Sequence, residues 1–163
     1  MFPERIERLA KAVVEAATIR DLMTATAESC TGGLVAGALT AVPGSSAALD
    51  RGFVTYSNAA KIEMLGVDAG TLALHGAVSE PTARAMAEGA IARSRASVAV
   101  SVTGVAGPGG GSAEKPVGLV HFAATGPAGT IWREERFGDI GREAVRLASV
   151  EIALTLLLDR LRA

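Results

Sequence analysis

Aromatic side chains are scarce in this chain: one Trp, one Tyr and four Phe make up 4% of it. A core without large rings has to be assembled from Ala, Val, Leu and Ile between closely approaching backbones. With 19 glycines and 49% hydrophobic residues, that favours a layered α/β domain. Cysteine is nearly absent as well. The one residue, Cys30, excludes an internal disulfide framework, and two histidines are too few for a soft-metal cluster. Neither a metal nor another cofactor is expected. An excess of basic charge is also missing: Lys and Arg total 16 against 17 Asp and Glu, for a formal charge of −1, and no basic run could track a polyphosphate backbone. Nucleic acid is therefore not an expected partner. Nor is a membrane, because no apolar run approaches the ~18 residues of a spanning helix. The opening "MFPERIERLAKAVVEAA" carries charges throughout, where a signal peptide would have an apolar core. A soluble, cytoplasmic setting is expected.

What is present reads as one domain over residues 1–163. Ile6, Leu9, Val13 and Ala17 recur at helical spacing, predicting an opening helix of about 15 residues. "LMTATAES" reads as a short strand, and "TGGLVAGALTAV" as a helix that stops before Pro43. "GFVTYS" follows as a strand and "NAAKIEMLG" as a helix closed by Gly66. After an irregular piece, Ser79 can cap "EPTARAMAEGAIARSR", with Pro81 tolerated in its first turn. "SVAVSVTG" has the apolar character of a strand covered on both faces. Beyond a glycine-rich loop, "LVHFAAT" and "IWREERF" flank "GPAG" as a hairpin. The final helix carries two apolar stripes, as expected of a helix buried on two sides or one that also meets a second subunit; a homo-oligomer, dimer or higher, is the expected state. The elements predict a three-layer α/β/α sandwich with a mixed, mostly parallel sheet of about five strands.

Three polar stretches fall at predicted carboxyl ends of strands: "ESCTGG", "YSNAAK" and "TGVAGPGGG". In open α/β sheets ligands bind at that edge. Ser29 or Thr31 could simply cap the next helix, the common use of such residues there. The same helix end could also stabilise an oxyanion or a phosphate. A G-x-S-x-G elbow is excluded, since Ala27 stands where its first glycine belongs. If Ser29 is a nucleophile it needs a base. His75 and His121 arrive without an obvious acidic orienter, and His121 interrupts an apolar strand as a satisfied sheet residue would. Lys61, in the first turn of its helix, becomes a base if its pKa is lowered, although a lysine placed so is more often just a solvated helix residue. Cys30 is either a thiolate at the helix end or a small core residue. "GVAGPGGGSAEKPVG" fails the dinucleotide fingerprint, with Ser112 in the place of the last glycine and a strand following, and it is no P-loop. Its N–H groups could nonetheless approach a single phosphate, with Lys115 nearby for charge.

Taken together, "AESCTGG", "VTYSNAAK", "GAVSEPTARAMAEGA" and "VTGVAGPGGGSAEKPVG" resemble, in order and spacing, the C-terminal domain of the CinA (competence/damage-inducible) family. The resemblance runs from about residue 5 to 160. It implies the three-layer fold already predicted, and hydrolysis of the carboxamide of nicotinamide mononucleotide to nicotinate mononucleotide and ammonia, in pyridine nucleotide recycling. It assigns Ser29 as nucleophile, Lys61 as base and Tyr56 as an assisting hydroxyl. The reading built on it places the oxyanion at N–H groups from Cys30 through Thr31 and Gly32 to Gly33. The phosphate falls to the loop Gly104, Gly107, Gly109 and Gly110, with Thr103, Ser46 or Arg142 as side-chain help. The family's Gly-Asp-Arg before the last helix reads here "GDIGREAVR", with two residues inserted before Arg142, so Arg146 is the alternative. Two other readings stay open: a non-catalytic nucleotide-binding module acting with a partner in competence or DNA-damage responses, and a hydrolase using the Cys30 thiol.

Overall fold

The computed structural model describes residues 1–163. The chain folds as α1 (Glu4–Ile19), β1 (Thr24–Glu28), α2 (Leu34–Thr40), a 3-10 turn (Ser45–Ala47), β2 (Leu49–Val54), α3 (Asn58–Leu65), α4 (Ala69–His75), α5 (Glu80–Ala92), β3 (Val98–Gly104), β4 (Leu119–Gly126), β5 (Gly129–Arg136) and α6 (Arg142–Arg162). The sheet order is β2-β1-β3-β4-β5. β1 pairs in parallel with both β2 and β3, and the remaining two pairings, β3 with β4 and β4 with β5, are antiparallel. The sheet is thus mixed, parallel on one half and a meander on the other.

Alternation along the strands sorts the core. Val98, Val100 and Val102 point to one side, where Val120, Phe122 and Ala124 of β4 join them under α1, α2 and α6. Ala25, Ala27 and Ala99 point to the other, under α3, α4 and α5. Each fully buried valine contributes about 1.5–3 kcal/mol. Alanines on the second face let α5 lie so close that Ser101 Oγ donates to the Ala83 carbonyl at 2.6 Å. Much of the apolar surface of α6 is buried within the chain: Val145, Val150, Ala153, Leu154, Leu157 and Leu161 are completely buried between the sheet and α1, while Leu147, Ala148 and Ile152 are half-buried.

Local chemistry sets the element ends. Ser57 caps α3 and Ser79 caps α5 through their hydroxyls, and Gly66 closes α3 at φ +68°. One segment expected to be irregular is helical: Asp68 accepts from the Gly70 and Thr71 N–H groups and starts α4, which runs to His75. That cap is a single Asp with Gly70 in the first turn after it, a faint signal beside Ser79. α2 begins later than its composition predicts, because Gly32 and Gly33 adopt left-handed φ values of +56° and +100° and hold residues 30–33 in a turn.

β1 leads to β2 through α2 on one face, whereas β2 leads to β3 through α3, α4 and α5 on the other. The carboxyl ends of β1 and β3 therefore flank a topological switch point, where an open sheet leaves a crevice. No helix is long and apolar enough to cross a membrane.

Candidate active site

Ser29 follows β1 directly, and its N–H donates to the Val102 carbonyl at 2.9 Å. It does not cap α2, and neither does Thr31. That role belongs to Glu28, which sequence reasoning passed over. Its carboxylate is completely buried and accepts from the N–H groups of Val35 at 2.8 Å and Ala36 at 3.0 Å, and from Thr31 Oγ1 at 2.7 Å and Thr26 Oγ1 at 3.2 Å. A carboxylate at a helix N-terminus satisfies free N–H groups and complements the dipole. The signal was present, since Glu28 is an acidic residue at the end of a buried strand, and burying a charge there requires donors such as a helix start supplies. With Glu28 capping, the Ser29 hydroxyl is left free.

That hydroxyl meets Lys61. Nζ lies 3.2 Å from Ser29 Oγ and donates to the Thr55 carbonyl at 2.8 Å. Lys61 projects from α3 to a place where it is only 1% exposed. Burial pushes its pKa below the ordinary 10.5, only partly offset by the attraction of Cys30. No carboxylate pairs with it, and an unpaired buried amine favours its neutral form.

Around this pair lies a cleft of about 310 Å³, lined by Ser29, Cys30, Tyr56, Asn58, Lys61, Ala77, Val78, Thr103, Arg142 and the loop Gly104–Gly107 with Gly109 and Gly110. Thr103 is held at its wall, its hydroxyl donating to the Ala77 carbonyl at 2.8 Å. Arg142 reaches the cleft despite the inserted residues. Gly141 at φ +100° starts α6 so that Arg142 is its first residue, and the guanidinium donates to the Gly107 carbonyl at 2.7 Å and to the Tyr56 hydroxyl at 2.9 Å. Tyr56, 61% exposed, stands at the mouth.

Other expected residues lie elsewhere. Ser46 sits exposed in the 3-10 turn and does not line the cleft. Thr31, Gly32 and Gly33 shape the turn behind Ser29 without lining it; Thr31 is fully buried with its hydroxyl given to Glu28. Lys115 is drawn away from the cleft, because its ammonium donates to the His75 carbonyl at the end of α4. His121 is a satisfied sheet residue: Nδ1 accepts from Trp132 Nε1 at 3.1 Å, the rings stack, and burial lowers its pKa. The Cys30 side chain belongs to the core and burial pushes its pKa up to about 12, so a thiolate is strongly disfavoured near neutral pH. Asn58 and Val78 were not anticipated, and only the fold brings them to the cleft.

The curated "Nicotinamide-nucleotide amidohydrolase PncC" of Shigella flexneri is 52% identical to this chain, the match covering 96% of this chain and 95% of that protein; the Escherichia coli K12 protein of the same name matches equally well. A "CinA-like protein" of Anaeromyxobacter sp. (strain K) is also 52% identical over 99% of this chain, which spans only 40% of that relative's length. Among solved structures, the competence/damage inducible protein CihA from Agrobacterium tumefaciens superposes with a TM-score of 0.97 at 58% identity, covering 100% of this chain and 99% of the other. The ComA structure from Klebsiella pneumoniae gives a TM-score of 0.91 at 39% identity, covering 96% and 97%. The profile of the CinA C-terminal domain matches residues 6–161. The chain belongs to the CinA C-terminal domain family.

Proposed function

We propose that this protein is a cytoplasmic nicotinamide-nucleotide amidohydrolase, converting nicotinamide mononucleotide and water to nicotinate mononucleotide and ammonia, with Ser29 as nucleophile and Lys61 as base. The observation that carries the reading is the buried Lys61 Nζ 3.2 Å from Ser29 Oγ, with no carboxylate or histidine lining the cleft. The 52% identity to named amidohydrolases over nearly their whole length supports the same reaction and substrate.

A neutral amine has two N–H bonds and one lone pair. One N–H is fixed on the Thr55 carbonyl, which leaves the lone pair to take the Ser29 proton as the oxygen attacks the amide carbon. The pyridinium of the nucleotide makes that carbon electrophilic. The carbonyl electrons move onto oxygen and are met by a backbone N–H at the Ser29 turn. Collapse expels ammonia, which leaves with the proton that Lys61 returns, directly or through Tyr56. Water then attacks the acyl-serine ester by the same route and releases the nicotinate nucleotide. Elsewhere along the cleft, N–H groups of the glycine loop and the Arg142 guanidinium suit a phosphate.

The test is ammonia release from nicotinamide mononucleotide by the wild type, Ser29→Ala and Lys61→Ala. Release by the wild type and its loss in both variants is expected. Full activity in Ser29→Ala would sink the covalent mechanism, and a wild type that binds the nucleotide without turnover would identify a binding module instead.

A further inference from the structure

Arg146 touches none of the groups in that reaction, yet it holds the turn behind the nucleophile. From the second turn of α6 its Nε donates to the Cys30 carbonyl at 3.1 Å and its Nη2 to the Thr31 carbonyl at 3.2 Å. A guanidinium presents its donors in a rigid planar fork, so the two carbonyls are fixed relative to each other as well as to α6. Gly32 admits it closely: a Cβ there would lie 3.4 Å from Arg146 Nη2, at a left-handed φ of +56°.

A trans peptide is planar, and its C=O and N–H point in opposite directions. The Thr31 carbonyl shares its peptide with the Gly32 N–H, which donates to the Ser29 carbonyl at 3.0 Å. The Ser29 carbonyl in turn shares its peptide with the Cys30 N–H. Holding Thr31 O toward α6 therefore sends the Gly32 N–H back to Ser29 O, and Ser29 O turned inward leaves the Cys30 N–H facing the other way. That N–H donates to no other residue. Cys30 lines the cleft although its thiol lies in the core and its carbonyl is taken by Arg146. Its N–H is the backbone group of Cys30 that has no partner in another residue.

We propose that Arg146 is a positioning residue for amide hydrolysis: by drawing the Cys30 and Thr31 carbonyls toward α6, it aims the Cys30 N–H at the oxyanion formed when Ser29 attacks. The proposal rests on the serine-amidohydrolase reading and deepens it. Because the oxyanion exists only after attack, loss of the aim lowers kcat and leaves substrate affinity alone. Arg146 also lines a second cavity, of about 600 Å³, bounded by Met1, Pro3, Leu34 and Leu147, from which a free guanidinium can reach the vacated place.

The experiment compares the full-length wild type, Arg146→Ala and Arg146→Lys by ammonia release from nicotinamide mononucleotide, with and without dilute guanidinium, and by the rate at which a fluorophosphonate labels Ser29. In the labelling a Ser29 O–P bond forms, the P–F bond breaks, fluoride leaves and Lys61 takes the proton, while the phosphoryl oxygen occupies the oxyanion's place. Both variants should lose kcat by about 100-fold with KM little changed and label more slowly in proportion. Guanidinium should restore Arg146→Ala by about 10-fold or more and leave the wild type unchanged. Wild-type kcat and labelling in Arg146→Ala overturn the proposal, as does a loss that guanidinium does not relieve in a variant with a lowered Tm. If Arg146→Ala does not fold, Arg146→Lys decides: a lowered kcat at unchanged Tm supports the role and wild-type turnover overturns it. A wild type that labels but releases no ammonia fails the substrate reading alone, and the labelling rates then judge Arg146. A wild type that neither labels nor hydrolyses overturns both.

Discussion

One rim of the cleft, the turn Ser29–Gly33, is tied from both sides, its helix start by Glu28 and its carbonyls by Arg146. The opposite rim, the loop from Val105 to Gly118, is anchored where it leaves the sheet, by Val105 N–H on Leu119 and Gly118 N–H on Val105, and by Arg142 on Gly107 and Lys115 on His75, while Pro108 through Glu114 between them are all exposed. The first rim handles a group whose reacting atoms must be placed to within about half an ångström. The second is proposed to face a phosphate, which many N–H arrangements can satisfy. Buried side-chain ties concentrate on the turn that carries Ser29, and exposed backbone on the loop across from it.

Substitutions should separate the rims by kinetic signature. The largest effect is expected from Ser29→Ala, which removes the nucleophile and should lower kcat by about 10⁴-fold or more, measured as ammonia release. Next, Lys61→Met should lower kcat by about 10²–10⁴-fold, and it should also change stability with pH. The folded pKa of Lys61 lies below 10.5, so between the folded value and 10.5 the unfolded chain binds more protons. Wild-type stability must then rise with pH across that window, and the rise should be absent from Lys61→Met in denaturant melts. In wild-type kinetics, activity should climb as pH rises through the lowered pKa, because only the neutral amine accepts the serine proton.

On the other rim, Arg142→Ala should raise KM by about 10-fold with a smaller change in kcat, as expected for a lost charge-assisted hydrogen bond to phosphate. A kcat effect exceeding the KM effect there would erase the distinction between the rims. Smallest of all, Cys30→Ala should keep near-wild-type turnover, and alkylating agents should act slowly, since the thiol is buried with its pKa near 12. Rapid inactivation by iodoacetamide would return the thiol hydrolase to contention.

Most of the fold was legible because its signals are local. The stripe Ile6, Val13 and Ala17, the caps Ser57 and Ser79, and the β4–β5 hairpin across Gly126 and Gly129 each rest on neighbouring residues. Helix α4 was missed because its cap, Asp68, has Gly70 in the first turn after it and stands within a weakly periodic stretch. The site was legible where residues follow strand ends, as Ser29, Tyr56 and the glycine loop do. Depth was not legible: Lys61 reads as a surface residue until α3 is seen to turn it under Thr55. Long-range partners were not legible either. Arg142 to Tyr56 and Lys115 to His75 are made by the way distant segments return to the sheet edge, and no spacing announces them.

The depth of Lys61 has a further consequence for a cationic ligand. A protonated amine at the bottom of the cleft would repel the pyridinium ring whose amide is to be cut, so the nucleotide binds best to the form that has already shed its proton. Linkage makes the influence mutual: the bound cation makes reprotonation of Lys61 harder still. On the proposed reading the substrate thereby keeps neutral the base that activates Ser29, and the acidic limb of the kcat profile should lie at lower pH than that of kcat/KM.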